Sequence, residues 1–134
     1  MEGVKFLEHK ADIKVKIFGK TKKEIFKQAL LAMAEILGKS SKKGALVKIN
    51  IKVESLGPDF LLIDFLNEVL FFSQTKKAIF EKIKFLDFSD KKIVAQIYGK
   101  KVKSFKEDIK AATYHNLKLE KKDKFWQAIL LFDI

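Results

Sequence analysis

Asp133 and Ile134 close this 134-residue chain on an apolar run, Trp126-Gln127-Ala128-Ile129-Leu130-Leu131-Phe132-Asp133-Ile134. The run sets one side-chain carboxylate beside the α-carboxylate, whereas chain ends are usually polar and frayed. Two anionic groups at the tip of a buried strand are costly unless a lysine or a bound cation sits with them. Asp12 is a further candidate. It stands between Ala11 and Ile13 in a stretch that reads as a strand, where a lone aspartate is disfavoured. One reading makes Asp12 an edge carboxylate facing water. The other joins it to Asp133 and Ile134: if the first and last strands are sheet neighbours, three carboxylates converge, and a bound cation relieves their repulsion. Oxygen donors of this kind are hard ligands, suited to calcium, magnesium or manganese rather than copper.

Other residues could serve such a site. Lys110 would offer a positive partner to the carboxylates or a contact to phosphate, or it is one more solvated lysine. His9 and His115 are the two histidines of the chain. They lack the close spacing of a zinc pair, and read equally well as separate, satisfied side chains. Asn67 and Glu68 interrupt an apolar stretch, and the simplest account is a polar stripe on a helix. Several chemistries are excluded. There is no cysteine, hence neither a disulfide framework nor a thiolate zinc site. No glycine-rich phosphate loop and no Gly-x-Ser-x-Gly elbow occurs.

The net charge is +11, and all 28 basic side chains are lysine. Arginine supplies the planar fork that reads guanine and grips phosphate, so its absence argues against a base-specific reader. Lysine alone gives a diffuse, salt-sensitive attraction to phosphates. Compositional bias or heat adaptation explains the same enrichment. No apolar run is long enough to span a membrane. The opening Met1-Glu2-Gly3-Val4-Lys5-Phe6-Leu7-Glu8 lacks the form of a signal peptide. A soluble, cytoplasmic protein is expected.

The elements that must position these residues follow from periodicity. Val4 to Phe18 reads as an opening strand, with Ile13, Val15 and Ile17 alternating against Lys14, Lys16 and Phe18. Thr21 and Glu24 have capping-box spacing, and the helix they start ends at Gly38. Leu46 to Val53 alternates again. Gly57-Pro58-Asp59 opens a second helix to about Phe72, apolar on most sides, which must lie inside or under a partner. Ile79 to Phe88 and Lys92 to Tyr98 are strands joined at Ser89-Asp90. Gly99 to Asp108 is a basic loop. Ala111 to Glu120 and Phe125 to Ile134 form a last hairpin. With neither repeat nor linker, residues 1–134 are one α+β domain with two helices and a mostly antiparallel sheet.

Five of these segments, in order, resemble the archease family. They are His9-Lys10-Ala11-Asp12, Gly19-Lys20-Thr21-Lys22-Lys23-Glu24-Ile25-Phe26, Phe65-Leu66-Asn67-Glu68-Val69-Leu70, Ile109-Lys110-Ala111-Ala112-Thr113-Tyr114-His115 and the final Asp133-Ile134. Lys10 stands where the family has threonine, and Lys100 follows Gly99 where the family has glutamate. The resemblance implies a strand-helix-strand-strand core elaborated by C-terminal strands. It implies no catalysis by this chain, but activation of an RtcB-type RNA ligase in tRNA splicing and RNA repair. The activator promotes guanylylation of the ligase and its multiple turnover. An alternative implied role is chaperone or RNA-binding modulator of a tRNA methyltransferase, so that tRNA is met indirectly. It further implies Asp12 and Asp133 as ligands of a divalent metal, calcium first, with the Ile134 carboxylate as a third ligand. Lys110 would act near them, and His9, His115 and Glu68 are candidate partner contacts.

Overall fold

Two antiparallel sheets share one core through a pair of helices. The structure is a computed structural model and describes residues 3–7, 12–40 and 43–134, apart from the side chains at 7 and 115–118. The elements are β1 (Gly3–Leu7), β2 (Asp12–Gly19), α1 (Lys22–Leu37), β3 (Leu46–Glu54), α2 (Pro58–Lys76), β4 (Ala78–Phe88), β5 (Lys92–Lys101), β6 (Ala111–Lys122) and β7 (Phe125–Asp133). One sheet has the order β1-β2-β7-β6 and the other β3-β5-β4. The α+β class and the antiparallel pairing agree with the sequence expectation. The opening strand does not. It divides into β1 and β2, which pair antiparallel with Leu7 opposite Lys14. Asp12 is the first residue of β2, at the end of a strand rather than in the middle of one.

The first helix forms where its caps demand. The Thr21 hydroxyl accepts the Glu24 N–H at 3.2 Å, the Thr21 half of the capping box. At the other end Gly38 has φ 120° and its N–H donates to Ala34 O. The Lys39 N–H also reaches Ala34 O, at 2.9 Å, a Schellman-type stop that favours glycine. α1 touches β1, β2, β7 and β4, and so bridges the two sheets. This explains why Ile25, Phe26, Leu30, Met33 and Ile36 are all buried.

The second helix runs to Lys76, a turn beyond the expected end, and contacts both sheets. Its apolar residues serve the core, with the Phe26 and Phe65 rings 5.5 Å apart. Its polar residues have a separate task. Strand β6 is the outer strand of its sheet, and an uncovered edge exposes backbone donors and acceptors. Three α2 side chains cap this edge and the residues just before it. Asp59 Oδ1 accepts the Leu119 N–H at 2.8 Å. Asn67 accepts the Ala112 N–H at 2.9 Å and donates to the Ala112 carbonyl at 3.1 Å. Gln74 donates to the Ile109 carbonyl at 2.9 Å. Positions 59, 67 and 74 fall on one helical face. Between Tyr114 and Leu119 five residue steps on β6 oppose two on β7, from Leu130 to Ala128. The bulge reverses the inside–outside parity, so Ala112 and Leu119 both face α2 despite their odd separation.

Tyr114 lies just before that bulge. It is buried, and its hydroxyl has no hydrogen-bond partner among the described residues. Burial, and then the Asp59 carboxylate, hold the phenol well above its ordinary value of 10.0. Below that value both folded and unfolded chains keep the proton, and Tyr114 gives no pH dependence. Above it the unfolded chain releases the proton first, so stability falls with rising pH, by up to about 1.4 kcal/mol per unit. Tyr114→Phe is expected to raise stability by about 1 kcal/mol at neutral pH, because an unpaired buried hydroxyl is removed. It should also flatten the decline above pH 10 relative to the parent. Urea melts of both proteins across that range measure the two effects, and parallel curves would refute the second.

Candidate functional site

The first and last strands are sheet neighbours. β2 pairs with β7 antiparallel, and Asp12 lies directly opposite Asp133. On the far side of β7, Asp133 lies opposite Ala111 of β6. One row across three strands thus carries Asp12, Asp133 and Ala111. Directly opposed residues in antiparallel strands have Cα atoms about 4.5–5.5 Å apart and side chains on the same face. That face is identified by burial. Val15, Ile17, Leu130 and Phe132 point into the core, and the alternation puts Asp12 and Asp133 on the opposite, outer face. The Asp12 side chain is half-buried and that of Asp133 exposed.

Lys110 joins this row through its backbone. Its N–H donates to Asp133 O at 2.7 Å, while its side chain is exposed to solvent. Ile134 continues from Asp133, half-buried against the core. Glu68 is half-buried on α2, one residue past Asn67. His9 and the side chain of His115 fall outside the described residues. The backbone of His115 lies in the β6 bulge.

Two carboxylates in register on one face make an all-oxygen pair. Their juxtaposition is destabilising by like charge, which a cation offsets. Among the described residues no group of three or more His, Asp or Glu side chains gathers to hold a metal. A cation at Asp12 and Asp133 would therefore complete its shell with water or with oxygens outside that set. Six to eight oxygens at flexible positions suit calcium, and a water-rich shell also suits magnesium.

Asn67 is the residue whose role the sequence reading missed. In place of a surface stripe, its amide clamps Ala112, one residue from the Ala111–Asp133 pair. The available signal was a primary amide in a helix apolar on most sides, since buried amides need partners.

Comparison with known proteins bears on the family and the fold. The model of the Archease protein family (MTH1598/TM1083) matches residues 5–134. The chain belongs to the archease family. Relatives with the name Protein archease include one from Methanosarcina barkeri, 32% identical over 137 residues, covering 96% of this chain and 94% of the relative. Another, from Pyrococcus furiosus, is 33% identical, with 95% of each chain covered. Among solved structures, Methanobacterium thermoautotrophicum protein 1598 superposes with a TM-score of 0.74 at 26% identity over 100% of both chains. A Thermotoga maritima protein described as an archease and possible chaperone superposes with a TM-score of 0.71 at 22% identity, over 96% of this chain and 94% of that one. The archease fold thus accounts for both sheets and both helices here. No helix among the described residues of this archease-family chain is long and apolar enough to cross a membrane.

Proposed function

We propose that this archease-family protein is a non-catalytic activator of an RtcB-type RNA ligase. It promotes guanylylation of the ligase and repeated turnover in tRNA splicing and RNA repair. The observation that carries the reading is the Asp12–Asp133 register pair, formed by residues from opposite ends of the chain. In this reading the pair binds a divalent cation, calcium first and magnesium or manganese as alternatives. Asp12 and Asp133 hold it, with the α-carboxylate of Ile134 as a third ligand and Lys110 beside them. An activator must bind the competent state of its ligase better than the resting state. A cation shared between an acidic tip and the nucleotide site of the ligase provides that difference in affinity. His9, His115 and Glu68 are assigned to contact with the ligase.

The experiment is guanylylation of purified ligase with and without this protein. The parent should accelerate formation of the guanylylated ligase and allow more than one turnover. Asp12→Ala should lose the stimulation by at least tenfold. Undiminished stimulation by that variant would falsify the site assignment, and no stimulation by the parent would remove the ligase reading.

A second reading, chaperone for a tRNA methyltransferase, draws on a different observation. Leu56 is 85% and Phe60 54% exposed, and both border a shallow cleft at the start of α2. Exposed apolar side chains grouped in this way suit a protein partner. The Thermotoga relative described as a possible chaperone points in the same direction.

A further inference from the structure

The outer face of the second sheet carries an aromatic ring between lysines. In the β3-β5-β4 sheet, Ile51, Val53, Ile93, Ala95 and Ile97 point into the core. Alternation therefore turns Lys48, Asn50, Gln96 and Tyr98 outward. On β4 a bulge decides the facing. Phe80 is buried opposite Gly99 and Lys82 lies opposite Tyr98, so Glu81 is the extra residue. It brings Lys82 and Lys84 to the outer face, where an unbroken ladder would have put them inside. Two rows across three strands result. One reads Lys48, Tyr98, Lys82 and the next Asn50, Gln96, Lys84.

Neither row contains a carboxylate. Lys48, Lys82 and Lys84 are exposed, and none of them forms an ion pair among the described residues. Lys48 Nζ lies 5.9 Å from the centroid of the Tyr98 ring, a contact that leaves its charge uncancelled. The acids of this sheet are engaged elsewhere. Glu54 pairs with Lys52 at 3.3 Å and Asp87 with Lys92 at 2.9 Å, both toward the far end of the strands. Glu81 accepts the N–H and the hydroxyl of Ser40. The Tyr98 hydroxyl donates to Gln96 Oε1 at 2.8 Å, two residues back on the same strand. The ring therefore leans along β5 and is held there. A cavity of about 520 Å³ opens beside it, with Leu46, Lys82 and Tyr98 in its lining. The side-chain amide of Asn50 is uncommitted among the described residues.

We propose that this face binds single-stranded RNA, with Tyr98 as the platform for a base and Lys48, Lys82 and Lys84 as phosphate contacts. Neighbouring strands lie about 4.8 Å apart, so the stems of Lys48 and Lys82 rise about 10 Å apart on either side of the ring. A base stacked on Tyr98 would thus have an ammonium group on each flank for its phosphates. A duplex hides the faces of its bases, so an aromatic platform takes unpaired strands. Lysine is depleted at the centre of protein interfaces, and Tyr98 is the single ring in these two rows, which disfavours a protein occupant. The Asn50 amide offers both a donor and an acceptor to a ribose 2′-hydroxyl, the group that DNA lacks. Stacking and point charges tolerate any base, so recognition is of the unpaired strand rather than of its sequence. RNA binding here uses no residue of the Asp12–Asp133 row and stands without the ligase reading.

The test uses the whole protein without any ligase. Anisotropy follows a fluorescein-labelled single-stranded RNA of about 8 nucleotides between about 50 and 200 mM salt. Three phosphate contacts on a single strand predict a slope of log affinity against log salt of about −2. Replacing Lys48, Lys82 and Lys84 by glutamine should lower affinity about tenfold or more and remove most of the slope. A control variant replaces Lys121, Lys122 and Lys124 by glutamine, three exposed lysines at the β6–β7 turn of the other sheet. It removes the same charge and should stay within about threefold of the parent. Tyr98→Leu should weaken binding about fivefold or more with the slope unchanged, and Tyr98→Phe, which keeps the ring, should bind like the parent. Single-stranded DNA of the same sequence should bind more weakly than the RNA. Four results would each overturn the proposal: no binding by the parent at low salt, equal losses in the two lysine variants, undiminished binding by Tyr98→Leu, or equal affinity for DNA. Displacement of the RNA by polyglutamate of matched charge, as effective as by unlabelled RNA, would also overturn it and assign the face to an acidic protein.

Discussion

Asp12→Ala and Asp133→Ala are each expected to abolish stabilisation of the protein by calcium. In the parent, cation at a hundred times its dissociation constant should stabilise the fold by about 2.7 kcal/mol through mass action. For a domain of this size that corresponds to a rise in Tm of roughly 8 °C. Neither variant should show more than a small fraction of the shift, because each removes half of the register pair Asp12–Asp133. Without cation the signs reverse. Directly opposed like charges destabilise a strand pair, so Asp133→Ala should match or slightly exceed the parent in chelator. Thermal melts with chelator, calcium, magnesium and manganese measure all of this. A calcium shift that survives in Asp12→Ala would place any cation elsewhere. Loss of stability by Asp133→Ala in chelator would instead give Asp133 a purely structural role.

Asn67→Leu should be the most damaging single change on the surface of α2. The Asn67 amide satisfies both backbone groups of Ala112, at 2.9 and 3.1 Å, in a partly buried setting. Leucine keeps the volume and removes both partners. Leaving a buried N–H and a buried carbonyl unsatisfied costs about 1–3 kcal/mol each, so a loss of about 3 kcal/mol or more is expected. Asn67→Asp separates the two bonds. A carboxylate still accepts the Ala112 N–H but repels the carbonyl, so its loss should be intermediate near neutral pH. Denaturant melts give the stabilities, and hydrogen exchange at the Ala112 amide gives the local effect. Equal, small losses in both variants would show that water replaces the clamp. The same variants should weaken the calcium shift, since Ala112 adjoins the residue that faces Asp133 across the strands.

Local pattern carried much of this molecule. The alternation of Ile13, Val15 and Ile17 against lysines is the two-faced β2 of the structure, and Thr21 caps α1 where its spacing with Glu24 placed it. The convergence of Asp12 on Asp133 was legible as a conditional statement, because both carboxylates stand in otherwise strand-like runs. These are signals within a few residues, and periodicity or capping chemistry reads them directly.

Other features depend on which segments meet, and no local period records that. A single expected sheet became two because α1 and α2 each contact both, which turns one buried layer into two facing ones. The opening strand became β1 and β2, since each gains a ladder by folding on the other. Asn67 reads as part of a polar stripe on a helix until β6 is placed beside α2 as an edge needing partners. Charge and hydrogen-bond capacity are written in the residue types. Whether they are used is a matter of the distance to groups far away in the chain, and the packing of sheets and helices sets that distance.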